Sequence, residues 1–321
     1  MRAAALAVVC SALVPSIAQA SDWAPRTDVE IVALDLATGA LTWTYKGTPL
    51  GNAHFELYPA LVVAYPHYDN QDKSSPIFLD PKTGAVTKDT RDPKTLIKPS
   101  SAQWIRGPIA LANGWRAEFD AGNSRTIEFK DPNKVVWTID PGVYAENVLA
   151  YKNLAIVAWG YLTDEAVLRA YKAGAKKPAW SIDFNVLLKK PTKKKDLARL
   201  GRVQPQIIGD VLYAQSGPHV FAIAPATGKI LWQMNAATTT KLKYEPDLYG
   251  GALDLAVFSQ DKDTLVVAFE KRILALNAKT GALLWHLDPD TFPHAAFPLA
   301  HGGVVYLSAG AARTKATRAK P

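Results

Sequence analysis

An eleven-residue stretch recurs three times without a gap, and it limits the chain to a repeat architecture. Residues 33–43 read ALDLATGALTW, residues 222–232 read AIAPATGKILW, and residues 275–285 read ALNAKTGALLW. Each copy begins at alanine, carries Thr-Gly in its middle and ends on tryptophan. Three looser copies keep the frame. One holds Thr83-Gly84 but has Lys88 where tryptophan is expected. Another ends at Trp137, with Asn133 where the glycine stands. The third ends at Trp180 and moves its glycine to Gly174. The spacing has a plain physical reading. A short apolar strand ends at Asp or Asn, the chain turns through a residue at positive φ, and a second strand returns with the tryptophan on it. The indole is large enough to cover the turn of a neighbouring repeat, and its N–H needs a backbone acceptor once it is buried. Trp43, Trp137, Trp180, Trp232 and Trp285, with Gly39, Gly228 and Gly281, are therefore expected to be structural.

A further hairpin precedes most copies. Asn113-Gly114, Lys152-Asn153 and Gly209-Asp210 each sit between two alternating apolar runs, and a polar turn separates 255–258 from 265–269. Two hairpins make four strands in about 45–50 residues, the size of a propeller blade. Alternating polarity and frequent turn residues exclude a helical repeat. The first copy has no hairpin ahead of it, and the last hairpin, around His301-Gly302-Gly303, has no copy after it. One end supplies what the other lacks. The expected fold is all-β: a β-propeller of four-stranded antiparallel blades, six by the count of copies or seven if an irregular blade lies in the long loops. The N- and C-terminal strands share one blade and close the ring.

These residues resemble the PQQ-like repeat of quinoprotein-type propellers, whose blades are locked by a tryptophan-docking motif of the form Ala-x-Asp-x-x-Thr-Gly-x-x-x-Trp. The resemblance runs from about residue 31 to 307 and is most specific in the copies ending at Trp43, Trp232 and Trp285. The family contains quinone-dependent alcohol and sugar dehydrogenases. It also contains non-enzymatic propellers, among them a periplasmic scaffold of outer-membrane barrel assembly, and the chain is most similar to this second kind. In the alcohol and methanol dehydrogenases the quinone lies on the propeller axis, over a tryptophan, beside calcium and a catalytic aspartate, under a disulfide between adjacent cysteines. Fold alone does not assign function.

Chemistry is sparse. The sole cysteine is Cys10. Residues 1–20 read as a cleaved secretory signal, with Arg2, an apolar run too short to span a bilayer, and Ala18-Gln19-Ala20 before the polar Ser21-Asp22. Without Cys10 the chain can make neither the dehydrogenases' disulfide nor a thiolate metal site. The six histidines form no close pair. Asp69-Asn70-Gln71-Asp72 and Asp261-Lys262-Asp263 lack the ligand spacing of a calcium loop and read as turns. No nucleophile elbow, phosphate loop or nucleotide fingerprint is present. No catalytic residue, metal site or cofactor is assigned.

Charge is more informative. Lysine and arginine exceed aspartate and glutamate by 37 to 29, a formal net charge of +8. The excess is local. Lys189, Lys190, Lys193, Lys194, Lys195, Arg199 and Arg202 crowd one insertion, and a second carries Lys241, Lys243 and Tyr244. Both insertions follow a tryptophan strand, so both should emerge on one face, where loops over a rigid scaffold commonly carry recognition. The expected organisation is a signal at 1–20, a propeller at 21–310 and a basic flexible tail at 311–321. The expected protein is a monomer, periplasmic or secreted, with no transmembrane segment after cleavage and no nucleic-acid role. It is read as a non-catalytic binding or scaffold module for an envelope protein or an anionic polymer. The alternative is a small quinone- or metal-dependent oxidoreductase on the same fold, which would need pyrroloquinoline quinone (PQQ) or a metal.

Overall fold

The computed structural model describes residues 29–46, 52–67, 76–97, 100–101, 109–118, 126–133, 136–139, 144–161, 166–188, 203–241, 256–269, 272–287, 296–310 and 317–318. They form six antiparallel sheets, the blades of a β-propeller. The signal expected at 1–20, with Cys10, lies outside the described residues.

Blade 1 is the composite one. Its strands run β23 (Ala296–His301), β24 (Val304–Gly310), β1 (Val29–Asp35) and β2 (Leu41–Lys46), so the two ends of the chain share a sheet. The join is a seven-rung ladder from Val29 opposite Gly310 to Asp35 opposite Val304. This is the closure that the unmatched hairpins required. Blade 2 has β3 (Asn52–Tyr58), β4 (Leu61–His67) and β5 (Ile77–Leu79). Its fourth strand shrinks to a single bridge between Leu79 and Val86. Blade 3 comprises β7 (Ile109–Ala110), β8 (Arg116–Glu118), β9 (Ile127–Lys130) and β10 (Val136–Ile139).

Blades 4 and 5 are regular. Blade 4 runs β11 (Tyr144–Tyr151), β12 (Leu154–Tyr161), β13 (Val167–Lys172), β14 (Trp180–Asp183), and blade 5 runs β15 (Gln204–Ile208), β16 (Val211–Ser216), β17 (His219–Ala224), β18 (Lys229–Asn235). Blade 6 has β19 (Val257–Asp261), β20 (Thr264–Phe269), β21 (Arg272–Asn277) and β22 (Leu283–Leu287), with an added strand on each edge. β6 (Ser100–Ser101), from the linker between blades 2 and 3, pairs with β19. β25 (Thr317–Arg318) pairs with β22, which puts part of the basic tail on the sheet.

Alternating side chains fill the spaces between neighbouring blades. One apolar cluster joins blades 6 and 1 through Val266, Trp285, Val32 and Leu307. Others join blades 1 and 2, 3 and 4, 4 and 5, and 5 and 6. Among the described residues no such cluster spans blades 2 and 3. There blade 2 turns a mixed face, a small apolar cluster of Tyr58, Leu61 and Val63 beside polar groups. Glu56 accepts hydrogen bonds from the Tyr58 and Tyr65 hydroxyls at 3.0 and 2.7 Å, and Arg91 donates to Tyr65 at 2.9 Å while pairing with Asp89. Exposed Lys88 stands here in place of the tryptophan.

Candidate functional site

Four tryptophans reach from the outer strand of one blade to the turn of the next. Trp43 donates its indole N–H to Pro81 O at 2.9 Å, Trp180 to Pro225 O at 2.9 Å, and Trp232 to Ala278 O at 2.8 Å. Trp285 closes the ring, donating to Leu36 O at 2.8 Å. Each ring lies flat against a turn glycine. A Cβ on Gly281 would stand 2.5 Å from Trp232 Cε3, and one on Gly39 would stand 2.7 Å from Trp285 Cδ2. Both glycines also adopt left-handed backbone, with φ of 73° and 70°. Only a residue without a side chain meets both demands.

Trp137 departs from the expected pattern. The space over Gly174 is taken by Trp115, from the first hairpin of blade 3. Trp137 instead stacks on Phe129, with centroids 4.2 Å apart and planes 3° from parallel, and its indole nitrogen is buried without a hydrogen-bond partner. The reason lies in the turn. Blade 4 sets its glycine at a different offset from its tryptophan, so the surface presented to blade 3 is not the one a fourth-strand tryptophan fits.

The two insertions leave the scaffold at equivalent corners of adjacent blades. β14 runs into α1 (Phe184–Leu187) and β18 into α2 (Ala236–Thr240). Each helix is opened by the last residue of the strand before it. The Asp183 carboxylate accepts from Asn185 N and Val186 N at 2.9 and 3.2 Å, and the Asn235 side-chain oxygen Oδ1 accepts from Thr238 N at 3.1 Å. Each first residue also donates its N–H to the loop between strands two and three of its own blade, Phe184 to Ala166 O and Ala236 to Pro218 O, both at 2.8 Å. Phe184 meets Phe221 of blade 5 edge-on at 4.8 Å, which ties the two corners together. In an antiparallel blade, the ends of the second and fourth strands share a face. The turn glycines occupy the opposite face.

α1 buries Phe184 and Asn185 but leaves Val186 72% and Leu187 40% exposed. An uncovered apolar pair thus stands at the start of the basic insertion. Lys189, Lys190, Lys193, Lys194, Lys195, Arg199, Arg202, Lys243 and Tyr244 lie outside the described residues. Lys241 is described. It is exposed and ends α2 with left-handed backbone, φ 58°.

Below α2 lies a group that sequence reading did not single out. The capping role of Asn235 fixes its carbonyl oxygen toward Thr238, so its amide nitrogen faces His219 Nε2 at 3.1 Å. Nε2 must then be the acceptor, and the proton resides on Nδ1, which is buried without a partner. Burial holds the imidazole below its ordinary value. An unfolded histidine protonates near about pH 6.5, so the folded state binds fewer protons below that point. Stability from this group is complete above about pH 6.5 and is lost as pH falls toward the folded value. The parent should therefore lose more of its melting temperature than His219→Gln between about pH 7.5 and 5.5. Equal losses would remove His219 from the account.

Asp261 and Asp263, one of the two aspartate pairs weighed for calcium, serve as turn residues and ties. Asp261 accepts from Gly303 N of blade 1 at 2.8 Å, and Asp263 pairs with Lys279 at 2.9 Å. Asp69 to Asp72 lie outside the described residues. Among the described residues no cluster of three or more His, Cys, Asp or Glu is placed to hold a metal ion. Further ties were invisible in the sequence. The Gln206 carboxamide bonds both backbone groups of Phe258, at 2.9 and 3.1 Å, and Ser259 Oγ accepts from Ala300 N at 2.9 Å.

The repeat agrees with a comparison against protein families. A family model described as outer membrane protein assembly factor BamB matches residues 112–320. The chain belongs to this family. Among curated proteins, none matches the sequence. Similar solved structures include BamB from Moraxella catarrhalis, 15% identical over 89% of this chain and 82% of that one, with a TM-score of 0.39. Quinohemoprotein alcohol dehydrogenase ADHIIG from Pseudomonas putida HK5 is 16% identical over 69% of this chain and 43% of its own, with a TM-score of 0.38. A europium-containing methanol dehydrogenase gives 15% identity, 81% and 54% coverage and a TM-score of 0.41. Likenesses this loose carry no argument about activity. Among the described residues no helix is long and apolar enough to cross a membrane.

Proposed function

We propose that the chain is an exported, non-catalytic binding module. Its recognition face carries α1, α2 and the insertions that follow them, and its partner is an envelope protein of outer-membrane assembly or, on the same charge, an anionic polymer. One observation carries the reading. Two adjacent blades launch their insertions from the same face, and the densest run of cations in the sequence directly follows the exposed Val186 and Leu187. Exposed apolar side chains followed in sequence by a run of cations suit a protein partner, because burial supplies affinity and charge supplies steering and selectivity. The family's description as an outer membrane protein assembly factor supports the kind of partner. Export is supported by the sequence of residues 1–20.

Replacing Lys189, Lys190, Lys193, Lys194 and Lys195 together with glutamine tests the face. Six cations lie within 189–199, where exposed charges are screened beyond about 10 Å at 0.1 M salt. The variant should elute from an anionic matrix at clearly lower salt and capture outer-membrane assembly proteins several-fold less well. Its melting temperature should stay near the parent's, since exposed substitutions cost within about 0.5 kcal/mol each. Undiminished capture and unchanged elution would reduce the insertion to a solvated connection.

A further inference from the structure

Among the described residues, apolar clusters fill the other five joints between blades, and the joint between blades 2 and 3 is lined differently. Register fixes which side chains face it. In blade 3, Ile109, Ala117, Phe129 and Trp137 lie in register across the sheet and pack toward blade 4. The alternate positions therefore face blade 2. They are Ala110, Arg116, Glu118, Glu128, Lys130 and Thr138. A face closed between two blades should be apolar and dry. Here Ala110 and Thr138 are exposed, and the side chains of Arg116 and Glu128 are 54% and 49% exposed. The contrast is with the next joint, where blade 4 meets blade 3 through Val157 and Trp159, both fully buried.

Blade 2 covers its own side of the joint. Glu56, Tyr58, Leu61, Val63, Tyr65 and Phe78 share the face turned away from blade 1. Tyr58, Leu61 and Val63 are buried, and Leu96, from the linker that leaves blade 2, packs on them. The Arg91 guanidinium lies over the Phe78 ring, 5.0 Å from its centroid, while bonding Tyr65 and Asp89. The charges of blade 3 are likewise matched within their own blade. Glu118 pairs with Lys130 and Arg116, and Lys130 also reaches Glu128 at 3.5 Å. The tryptophan latch is replaced too. Exposed Lys88 stands where Trp43, Trp180, Trp232 and Trp285 cross to the next blade. The blade 3 turn that would receive an indole instead lays Pro132 against Gly114 of its own blade.

A polar outer face is what the terminal repeats of an open array carry, because no neighbour buries an apolar one. We propose that the propeller is a split ring. Blades 3, 4, 5, 6, 1 and 2 form one arc with capped ends, and the joint between blades 2 and 3 opens and recloses while the other five stay shut. The energetics favour this joint. Parting any other pair of blades brings a buried apolar cluster into water, which costs free energy in proportion to the area exposed. Parting blades 2 and 3 wets side chains that are already largely charged, exposed or self-capped. Opening motions are drawn from the least stable contacts, so movement concentrates here. This goes beyond the binding reading and holds whatever the partner is.

Cys10, in the segment expected to be cleaved, is the sole native cysteine, so introduced thiols report alone. Thr87→Cys with Thr138→Cys places spin labels on exposed positions either side of the joint, and Leu231→Cys with Ala282→Cys does the same across the joint latched by Trp232. Pulsed electron spin resonance reads the distance distribution of each pair. The pair across blades 2 and 3 should be several-fold broader, or two-peaked, and the pair across blades 5 and 6 single and narrow. Equal widths would overturn the proposal, whether both were narrow, which would make the joint rigid, or both broad, which would spread the motion over the ring. Thiol accessibility is the second measurement and needs only small substitutions. Ala110→Cys lies on the open face of blade 3, and Ala155→Cys lies in the sealed joint between blades 3 and 4. Maleimide should modify the first more than about tenfold faster in the folded protein, because the second waits for a rarer opening. Equal rates would mean that the face of blade 3 is covered after all, and the split ring would fall.

Discussion

Deleting residues 296–321 should leave an aggregating chain with no cooperative melt. The deletion removes β23 and β24, and with them every partner of β1 on its inner edge, from Val29 to Asp35. A seven-residue strand left with unpaired N–H and C=O groups is a template for edge-to-edge association. The apolar loss acts in the same direction. Leu299, Val305, Tyr306 and Leu307 are each 5% exposed or less. At about 1.5–3 kcal/mol for each buried side chain, four of them approach the whole stability of an ordinary domain, about 5–15 kcal/mol. Polar ties go too, among them Ser259 to Ala300 N, Asp261 to Gly303 N and Leu36 N to Gly303 O. Deleting only 312–321 takes away the two-residue β25 and nothing else among the described strands, and should leave the melting midpoint close to the parent's. Size-exclusion chromatography and thermal melts separate the two cases. A chain ending at residue 295 that stays monomeric and melts like its parent would refute closure through blade 1.

The closed ring was legible because its evidence is local and repeated. The copies ending at Trp43, Trp232 and Trp285 each carry the turn, the glycine and the tryptophan within eleven residues. The two ends of the chain announce their pairing by what each lacks. Legibility fails where the determinant is a partner elsewhere. Trp137 has the right frame, yet the shape of the turn at Gly174, on another blade, decides whether it can be received. Ser100 and Ser101 have no strand-like pattern. They pair with Ser259 and Gln260 in a two-rung ladder, and backbone pairing leaves no mark on composition. Gln206 reads as one polar residue in an apolar hairpin, and only the fold sets its amide against Phe258. His219 became informative only once Asn235 was seen to cap α2, because the cap fixes the amide and the amide fixes the tautomer. The insertion cations were conspicuous in sequence for the opposite reason, since a dense charge needs no fold to be recognised.

Trp285→Ala should destabilise the ring by about 3–5 kcal/mol, the usual cost of emptying a buried tryptophan site. The side chain is fully buried, packs against residues of blades 6 and 1, and supplies the N–H bond that joins Leu36 to the far end of the chain. Its removal leaves a cavity and an unsatisfied carbonyl at the joint that closes the propeller. Gly39→Ala attacks the same joint from the other side. Its Cβ would stand 2.7 Å from Trp285 Cδ2, on a backbone at φ 70° that strains any L side chain. Trp137→Ala is the control that separates a ring-joining tryptophan from a merely buried one. Trp137 is only partly buried and has no bond to its indole nitrogen, and its stacking partner Phe129 belongs to its own blade. It should cost less than half as much as Trp285→Ala. Urea unfolding with a shared m-value reads all three variants on one scale. If Trp137→Ala proved as costly as Trp285→Ala, the indole-to-turn contacts would be ordinary core packing, and the ring would owe its closure to the β1–β24 ladder alone.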